Sequence, residues 1–332
     1  MKLLVITNNP KRAGFRQRIA VHLDLLQRNG IHCDVAVFPL SSSARKQLFR
    51  RSADYDAVFL QKRRLNIFDA RCLRKHAKKI IYDFDDAVMY SPKSPDRRSL
   101  SHAWPFRRTV KLADLVIAGN SYLAERALAF NTNVRVLPTG LDTKAYRLNT
   151  QMDRDNKVRL VWIGSRSTLK YLNEIKPALE EIGSRYDNVI LRIICDAFFD
   201  LQKMTVEKCT WSLGGQYKDL AACDIGLAPL PDNPFTRGKC GFKILQYAAA
   251  GLPVVASPVG VNAEYVQDGV TGFLASDENT WVGRIGRLVD NCMQRKQMGD
   301  NALKYVQDFD LSVIGGQLAQ IIANCNILSD LE

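Results

Sequence analysis

The sequence predicts an α/β protein made of two tandem doubly wound domains that face a central cleft. Its 332 residues are too many for one ordinary core and suit two. Each half alternates short apolar runs with helical segments, a pattern typical of parallel sheets covered by helices. A polar stretch without periodicity separates the halves. We expect a first domain over 1–145, a linker over 146–157, and a second domain with terminal helices over 158–332.

The first half contains six short apolar runs that predict buried strands. After the first run, Ile19, Leu23 and Leu26 recur at helical spacing, and Gly30 ends the segment as a C-cap glycine would. The predicted strands are Lys2–Thr7, Asp34–Phe38, Ala57–Gln61, Lys79–Phe84, Leu115–Gly119 and Val134–Leu137.

The second half repeats the alternation of strand and helix. Rossmann-like domains of this kind bind ligands at the carboxyl ends of their strands. The predicted strands are Arg159–Gly164, Val189–Cys195, Asp224–Leu227, Pro253–Ala256 and Gly272–Leu274. The predicted helices include Tyr171–Arg185, Asp277–Asp290, Cys292–Gln307 and Leu311–Ile327.

Composition argues against several classes of protein. Hydrophobic residues make up 46% and charged residues 24%, as in soluble globular proteins. No apolar run approaches the roughly 18 to 20 residues that span a bilayer. The run Leu3–Ile6 is far shorter than a signal-peptide core, so we expect a cytoplasmic protein. The eight cysteines form no CxxC pair, which argues against a zinc site and favours reduced thiols.

Charge is distributed unevenly along the chain. Residues 1–150 hold 28 Lys and Arg against 12 Asp and Glu, a balance of +16, whereas the remainder has a balance of −3. A basic first half suits an anionic partner, such as a phosphorylated acceptor or the inner face of the cell membrane; a solvated basic face is the alternative. Nucleic acid is disfavoured because aromatic residues do not interleave with the cations. The cations are Arg45, Lys46, Arg50, Arg51, Lys62, Arg63, Arg64, Arg71, Arg74, Lys75, Lys78 and Lys79.

The most informative stretch is the loop and helix of residues 229–253. Lys239 and Lys243 lie near a predicted helix start, where the helix already carries about half a positive charge. A bound anion would remove this conflict, and Gly241 would let it approach the free N–H groups of the first turn. Gln246 shares a face with Lys243 and could reach a ribose hydroxyl. The alternative is a solvated basic loop before a core helix.

Two further turns place cations beside predicted helix starts. Gly164 ends a strand and precedes Arg166 and Lys170, and Gly14 precedes Arg16 and Arg18. In both turns an anion would again relieve the electrostatic conflict. The turn that contains Gly14 lacks the GxGxxG pattern, which argues against a dinucleotide-binding dehydrogenase.

These segments resemble family 4 glycosyltransferases of the GT-B fold, closest to bacterial members that build surface polysaccharides. The resemblance covers the second half through Gly269-Val-Thr-Gly-Phe273, and in the first half includes Tyr82-Asp-Phe-Asp-Asp-Ala87 and Pro138-Thr-Gly-Leu-Asp142. Many members carry two glutamates, separated by seven residues, where this chain has Gly238 and Gln246. Because the first glutamate is absent, we expect backbone amides near Cys240–Phe242 to make its contact with the sugar.

The resemblance implies a retaining transfer of a hexose from a nucleotide diphosphate-sugar to a lipid-diphosphate-linked or polysaccharide-precursor acceptor. It implies neither a cofactor nor a metal, with the nucleotide-sugar as co-substrate. The expected catalytic residues are Arg166, Lys170 and Lys243. The expected donor-binding residues are Gly14, Gly164, Ser165, Lys239, Cys240, Gly241, Phe242 and Gln246. The expected acceptor or phosphate-binding residues are Arg16, Arg18, Asp85 and His102.

Two other functions remain open at the level of sequence. A GT-B-fold sugar-nucleotide epimerase would use the same donor site without an acceptor, and the basic first half disfavours it. A non-enzymatic pair of receiver-like regulatory modules would use Asp83, Asp85 and Asp86 as an acidic pocket. The basic loop before Gly241 has no purpose in a receiver.

Overall fold

The computed structural model describes residues 1–147 and 156–327. It contains two six-stranded parallel sheets with helices, which confirms the predicted α/β class. By contacts the chain divides into two compact units. The first comprises Met1–Gly140, Asn233–Cys240 and Phe309–Glu332, and the second comprises Leu141–Asp232 and Gly241–Asp308. Within the predicted linker, residues 148–155 lie outside the described residues.

The first sheet has the strand order β2-β1-β3-β4-β7-β8, and β5 and β6 form a separate antiparallel hairpin. The strands are β1 (Lys2–Thr7), β2 (His32–Val37), β3 (Ala57–Gln61), β4 (Ile80–Phe84), β5 (Tyr90–Ser91), β6 (Ser94–Arg98), β7 (Leu115–Ala118) and β8 (Val134–Val136). The helices are α1 (Ala13–Arg18), α2 (Leu23–Arg28), α3 (Ser42–Arg51), α4 (Ile67–His76), α5 (Leu100–Leu112) and α6 (Ser121–Leu128).

The second sheet has the order β11-β10-β9-β12-β13-β14. Its strands are β9 (Val158–Ile163), β10 (Val189–Cys195), β11 (Thr205–Thr210), β12 (Ile225–Ala228), β13 (Val254–Ala256) and β14 (Gly272–Leu274). The helices from residue 143 onwards are α7 (Thr143–Arg147), α8 (Arg166–Glu174), α9 (Lys176–Arg185), α10 (Gly215–Ala221), α11 (Phe242–Ala249), α12 (Val261–Tyr265), α13 (Glu278–Asp290), α14 (Cys292–Tyr305) and α15 (Leu311–Ile327), of which α15 belongs to the first unit.

The last helix packs on the first sheet. Ile314, Leu318 and Ile322 recur every four residues along α15 and join the buried cluster that contains Leu3 and Val5 of β1. The sequence-based division placed α15 with the second domain. The structure differs from this division because helical periodicity identifies the apolar face of a helix without identifying the sheet that the face covers.

The fold brings the polar residues that follow each strand to one edge of their sheet. All pairings within both six-stranded sheets are parallel, so the carboxyl ends of neighbouring strands lie side by side. Within the described part of the chain, no helix is both long and apolar enough to cross a membrane.

Candidate functional site

Helix α11 is fixed to the second sheet by one tyrosine. The Tyr247 hydroxyl accepts a hydrogen bond from the Ile163 amide at 3.1 Å and donates one to the Leu227 carbonyl at 3.0 Å. Gly226 makes room for the ring, because a Cβ there would lie 2.5 Å from it. Two strands thus hold the buried face of α11.

The N-terminus of α11 has a backbone that requires glycine. Gly241 precedes the helix with φ of 62°, in the left-handed region that side chains disfavour. A Cβ at Gly241 would also lie 2.7 Å from Val261 and 2.9 Å from Tyr265. The first turn carries Lys243, and the N-terminus of a helix attracts anions through its backbone N–H groups. This combination suits an anion.

Lys243 and Gly164 meet at the same indole. The Lys243 ammonium lies 5.0 Å from the centroid of the Trp162 ring, a cation–π contact. A Cβ on Gly164 would lie 2.4 Å from that ring. Trp162 is 1% exposed on β9. The structure therefore brings together the first turn of α11 and the turn after β9.

Gln246 belongs to a buried hydrogen-bond chain. Its side-chain amide donates to the Tyr146 hydroxyl at 3.0 Å and to the Gln216 carbonyl oxygen at 3.3 Å. The Trp211 indole N–H donates to the same Gln216 oxygen at 3.2 Å. Burial raises the pKa of Tyr146, so its hydroxyl stays neutral. Sequence reasoning missed Tyr146 and Gln216, because no motif links them to Gln246.

The cations on α8 have partners within the second unit. The Arg166 amide donates to Asp196 Oδ1 at 2.8 Å, and its exposed side chain lies 3.7 Å from Asp196 Oδ2. The Lys170 ammonium lies 5.2 Å from the Tyr171 ring centroid. The Ser165 amide donates to the Thr168 hydroxyl at 3.2 Å and helps to cap α8.

The carboxyl edge of the first sheet carries an ion-pair cluster. Lys62 follows β3 with φ of 53°, an uncommon conformation for a residue with a side chain. Its ammonium pairs with Asp85 and lies 2.8 Å from Asp86 Oδ2. Lys239 lies 3.3 Å from the other oxygen of Asp86. Burial would raise the pKa of Asp86, but Lys62 and Lys239 outweigh it and lower the pKa to about 2.

Two glycines allow this cluster to close. A Cβ on Gly14 would lie 3.2 Å from the Lys62 ammonium, and one on Gly119 would lie 2.8 Å from the Asp85 Cα. The structure thus places two predicted residues, Gly14 and Asp85, around Lys62, which was predicted only as part of a basic face.

The expectation that Arg18 binds a phosphate needs correction. Its guanidinium is 2% exposed and donates to Asp83 Oδ1 at 2.8 Å and to the carbonyls of Leu137 and Pro138 at 2.6 and 2.9 Å. These partners make Arg18 a structural link from α1 to the ends of β4 and β8. Asp83 is also buried. It pairs with Arg18, whereas Asp85 pairs with Lys62.

The other predicted residues are placed as follows. His102 on α5 is half-buried with Nδ1 2.9 Å from the Ser99 hydroxyl, and partial burial and Arg64 lower its pKa. Arg16, Cys240 and Phe242 are half-buried. Among the described residues, no group of three His, Cys, Asp or Glu could hold a metal ion.

Gly238 explains the departure from the two-glutamate pattern. It is buried, and a Cβ there would lie 2.6 Å from the Ala87 Cβ and 2.9 Å from Leu123. The Asn120 side chain donates to the adjacent Lys239 carbonyl at 3.1 Å. The loop therefore lies too close to this surface for a glutamate at 238.

Comparisons with known proteins find similarity to one described sequence family and to two curated proteins. Residues 158–291 match the sequence profile of the family described as "Glycosyl transferases group 1". The D-inositol 3-phosphate glycosyltransferase of Corynebacterium aurimucosum is 31% identical over 105 residues, which are 31% of this chain and 24% of that protein. The Corynebacterium glutamicum enzyme of the same name is 29% identical over 112 residues, 32% and 26% of the two chains. The alignments thus span about a quarter of the curated relatives.

Solved structures share the fold over nearly the whole chain. Anabaena HepE in complex with UDP superposes with a TM-score of 0.72 at 18% identity, covering 98% of this chain and 100% of that one. A glycosyltransferase from Rickettsia africae gives 0.74 at 13% identity, covering 98% of each chain. Sucrose-phosphate synthase from Thermosynechococcus elongatus gives 0.72 at 15% identity, covering 97% and 98%. The chain therefore has the two-domain fold of these proteins, and its residues 158–291 match the group 1 glycosyl transferases.

Proposed function

We propose that this protein is a glycosyltransferase that moves a hexose from a nucleotide diphosphate-sugar to an acceptor. One observation carries the proposal: Lys243 and Gly164 converge on Trp162 at the start of α11. This is the place in a doubly wound domain where a phosphate binds, and it lies within the segment that matches group 1 glycosyl transferases.

The diphosphate of the donor would lie at the first turn of α11. There the Lys243 ammonium and the backbone N–H groups of the first turn would stabilise the negative charge that develops as the sugar leaves. Arg166 and Lys170 are the further cations proposed for this charge, with Gly164 and Ser165 allowing close approach. Gln246 would hold the ribose through its side-chain carbonyl, since its amide already donates to Tyr146 and Gln216.

Uracil is the first base to consider. Structures of Anabaena HepE contain UDP, UDP-glucose, or UDP and glucose, and this chain shares their fold. A uracil would lie near Trp211, at the end of β11, where an indole can stack on a base. The donor sugar is proposed to be a hexose by resemblance.

The acceptor is assigned to the first unit, whose sequence is strongly basic. Asp85 and Asp86 lie with Lys62 at the carboxyl edge of its sheet, where a hydroxyl of the acceptor could be bound. Arg16 and His102 remain proposed contacts. Retention of configuration, independence of metal, and association with an anionic membrane surface are proposed from the family 4 resemblance and the basic charge.

A nucleotide panel tests the proposal. Thermal unfolding is recorded with UDP, GDP, CDP and ADP in the presence of a metal chelator. We expect one nucleoside diphosphate, UDP first, to raise the melting temperature by several degrees, since a ligand at about 100 times its dissociation constant adds about 2.7 kcal/mol of stability. Absence of stabilisation by all four would contradict the donor site.

A further inference from the structure

A pocket outside the sites described above lies in the first unit, between the hairpin β5–β6 and helices α5 and α6. Its volume is about 390 Å³, within the range of small-molecule sites. Met89 and Phe106 form a buried apolar floor. The exposed side chains of Arg107 and Arg126 lie at the rim. The pocket is therefore apolar inside and cationic outside.

The rim cations are held by aromatic rings. The Arg107 guanidinium lies 5.5 Å from the Trp104 ring centroid and 5.4 Å from that of Phe130. The Arg126 guanidinium lies 4.8 Å from the Tyr122 ring centroid. Such stacking orients a guanidinium and leaves its N–H groups to donate at the ring's edge. The eight described residues lining the pocket include two arginines and no carboxylate.

Two phenols add donors at the same rim. The Tyr122 hydroxyl lies 3.4 Å from that of Tyr90, which lines the pocket. Trp104 at the rim is 54% exposed, and an indole half in water suits the boundary between an apolar phase and water. A ligand that matches all of these features has an apolar chain for the floor and an anionic head for the rim.

We propose that this pocket binds an amphiphilic phosphate, with the apolar chain on Met89 and Phe106 and the phosphate between Arg107 and Arg126. The inference rests on the proposed function, in that the amphiphile would be the acceptor. Its position supports this role, because Met89 and Tyr90 follow directly on the turn that carries Asp85 and Asp86. The pocket and the ion-pair cluster thus share one short chain segment, with Met89 and Tyr90 lining the pocket.

The test measures calorimetric binding of farnesyl phosphate, farnesol and inorganic phosphate to the full chain. We expect farnesyl phosphate to bind at least ten-fold more tightly than either part, because floor and rim are occupied together. Equal binding of farnesol and farnesyl phosphate would overturn the role of the rim. Equal binding of inorganic phosphate and farnesyl phosphate would overturn the role of the floor.

Three variants locate the site. Ala103→Phe fills the pocket without changing charge, and Arg107→Gln with Arg126→Gln removes the rim cations; each should weaken farnesyl phosphate binding at least ten-fold. Arg284→Gln is the matched control, because Arg284 also stacks on a ring, Phe273, in the second unit. Unchanged binding in both pocket variants would overturn the proposal.

Vesicles and UDP separate the remaining outcomes. Vesicles of phosphatidylglycerol that bind wild type and Ala103→Phe alike, with no binding of soluble farnesyl phosphate, would show surface attraction and overturn the pocket. UDP binding is measured on the same preparations. Absence of farnesyl phosphate binding to the wild type, with UDP binding present, contradicts this inference alone, whereas absence of UDP binding contradicts the proposed function.

Discussion

The ammonium of Lys243 lies 5.0 Å from the ring centroid of Trp162. Trp162 belongs to β9 and Lys243 to the first turn of α11, so this contact joins the end of a central strand to a helix N-terminus. A cation that close to a helix N-terminus is unfavourable unless an anion is bound. The relationship therefore gives a physical reason to place a diphosphate at this point.

The conformation of Gly241 should limit substitution at the helix start. Gly241→Ala places a Cβ at φ of 62° and within 2.7 Å of Val261. We expect it to lower the free energy of unfolding by about 2–4 kcal/mol, from about 1–2 kcal/mol for the backbone and the rest from overpacking. It should also weaken nucleotide binding. Chemical denaturation and calorimetry measure the two effects.

Gly269→Ala is the matched control for Gly241. Gly269 has φ of 77°, but a Cβ there meets nothing within 4 Å. The control should cost only about 1–2 kcal/mol and leave nucleotide affinity unchanged. Equal effects of the two substitutions on stability and binding would argue against a crowded, ligand-facing turn at Gly241.

Gln246 should contribute to affinity through the ribose. Gln246→Leu removes the side-chain carbonyl and breaks the bonds to Tyr146 and Gln216. Wild type should bind UDP about 5- to 10-fold more tightly than its 2′,3′-dideoxy analogue, for a net hydrogen bond of about 1 kcal/mol. In Gln246→Leu this ratio should approach one. A ratio unchanged by the substitution would mean that Gln246 only supports α11.

The buried Arg18–Asp83 pair should matter for stability and not for donor binding. Asp83→Asn leaves the buried guanidinium without its counter-charge, so we expect a loss of about 3–5 kcal/mol in the free energy of unfolding. Glu181→Gln, in the exposed pair with Arg185, should cost less than about 1 kcal/mol. Nucleotide affinity should be unchanged in both. A ten-fold loss of affinity in folded Asp83→Asn would contradict the structural role.

His22 should make stability depend on pH. Burial first, and then Arg18, lower its pKa from 6.5 to about 4. Below about pH 6.5 the unfolded chain takes up a proton that the folded protein does not, so stability is lost as pH falls towards 4. The loss between about pH 7.5 and about pH 5 should be about 2 kcal/mol greater than in His22→Gln. The free energy of unfolding is measured by urea denaturation at each pH. An equal pH dependence in wild type and His22→Gln would contradict this prediction.

Several elements could be predicted from sequence because they are apolar on both faces or strongly periodic. The structure gives Lys2–Thr7 as β1 and Leu311–Ile327 as α15, with the predicted bounds. The strand β11 was missed, since every residue of this edge strand is exposed or half-buried and only Val206 and Cys209 are apolar. The hairpin β5–β6 was missed because its two short strands cover only Tyr90–Ser91 and Ser94–Arg98.

The candidate site likewise contains residues that could be predicted from sequence and residues that could not. Residues within one motif, such as Gly241 and Lys243, could be chosen from local electrostatics. Contacts between distant segments could not, because they depend on tertiary packing. For example, Gln216 on α10 accepts a hydrogen bond from Gln246, and Arg18 forms a buried ion pair with Asp83.

The most direct test of the donor site is calorimetric titration of UDP into Lys243→Ala, with Lys296→Ala as the control. Lys296 is an exposed lysine of the second unit, paired with Asp300 on α14. Loss of a charge-assisted contact of about 1.5–3 kcal/mol predicts UDP binding weaker by about 10- to 150-fold in Lys243→Ala, with Lys296→Ala like wild type. Equal UDP affinity in all three proteins, with a chelator present, would contradict a diphosphate at the start of α11.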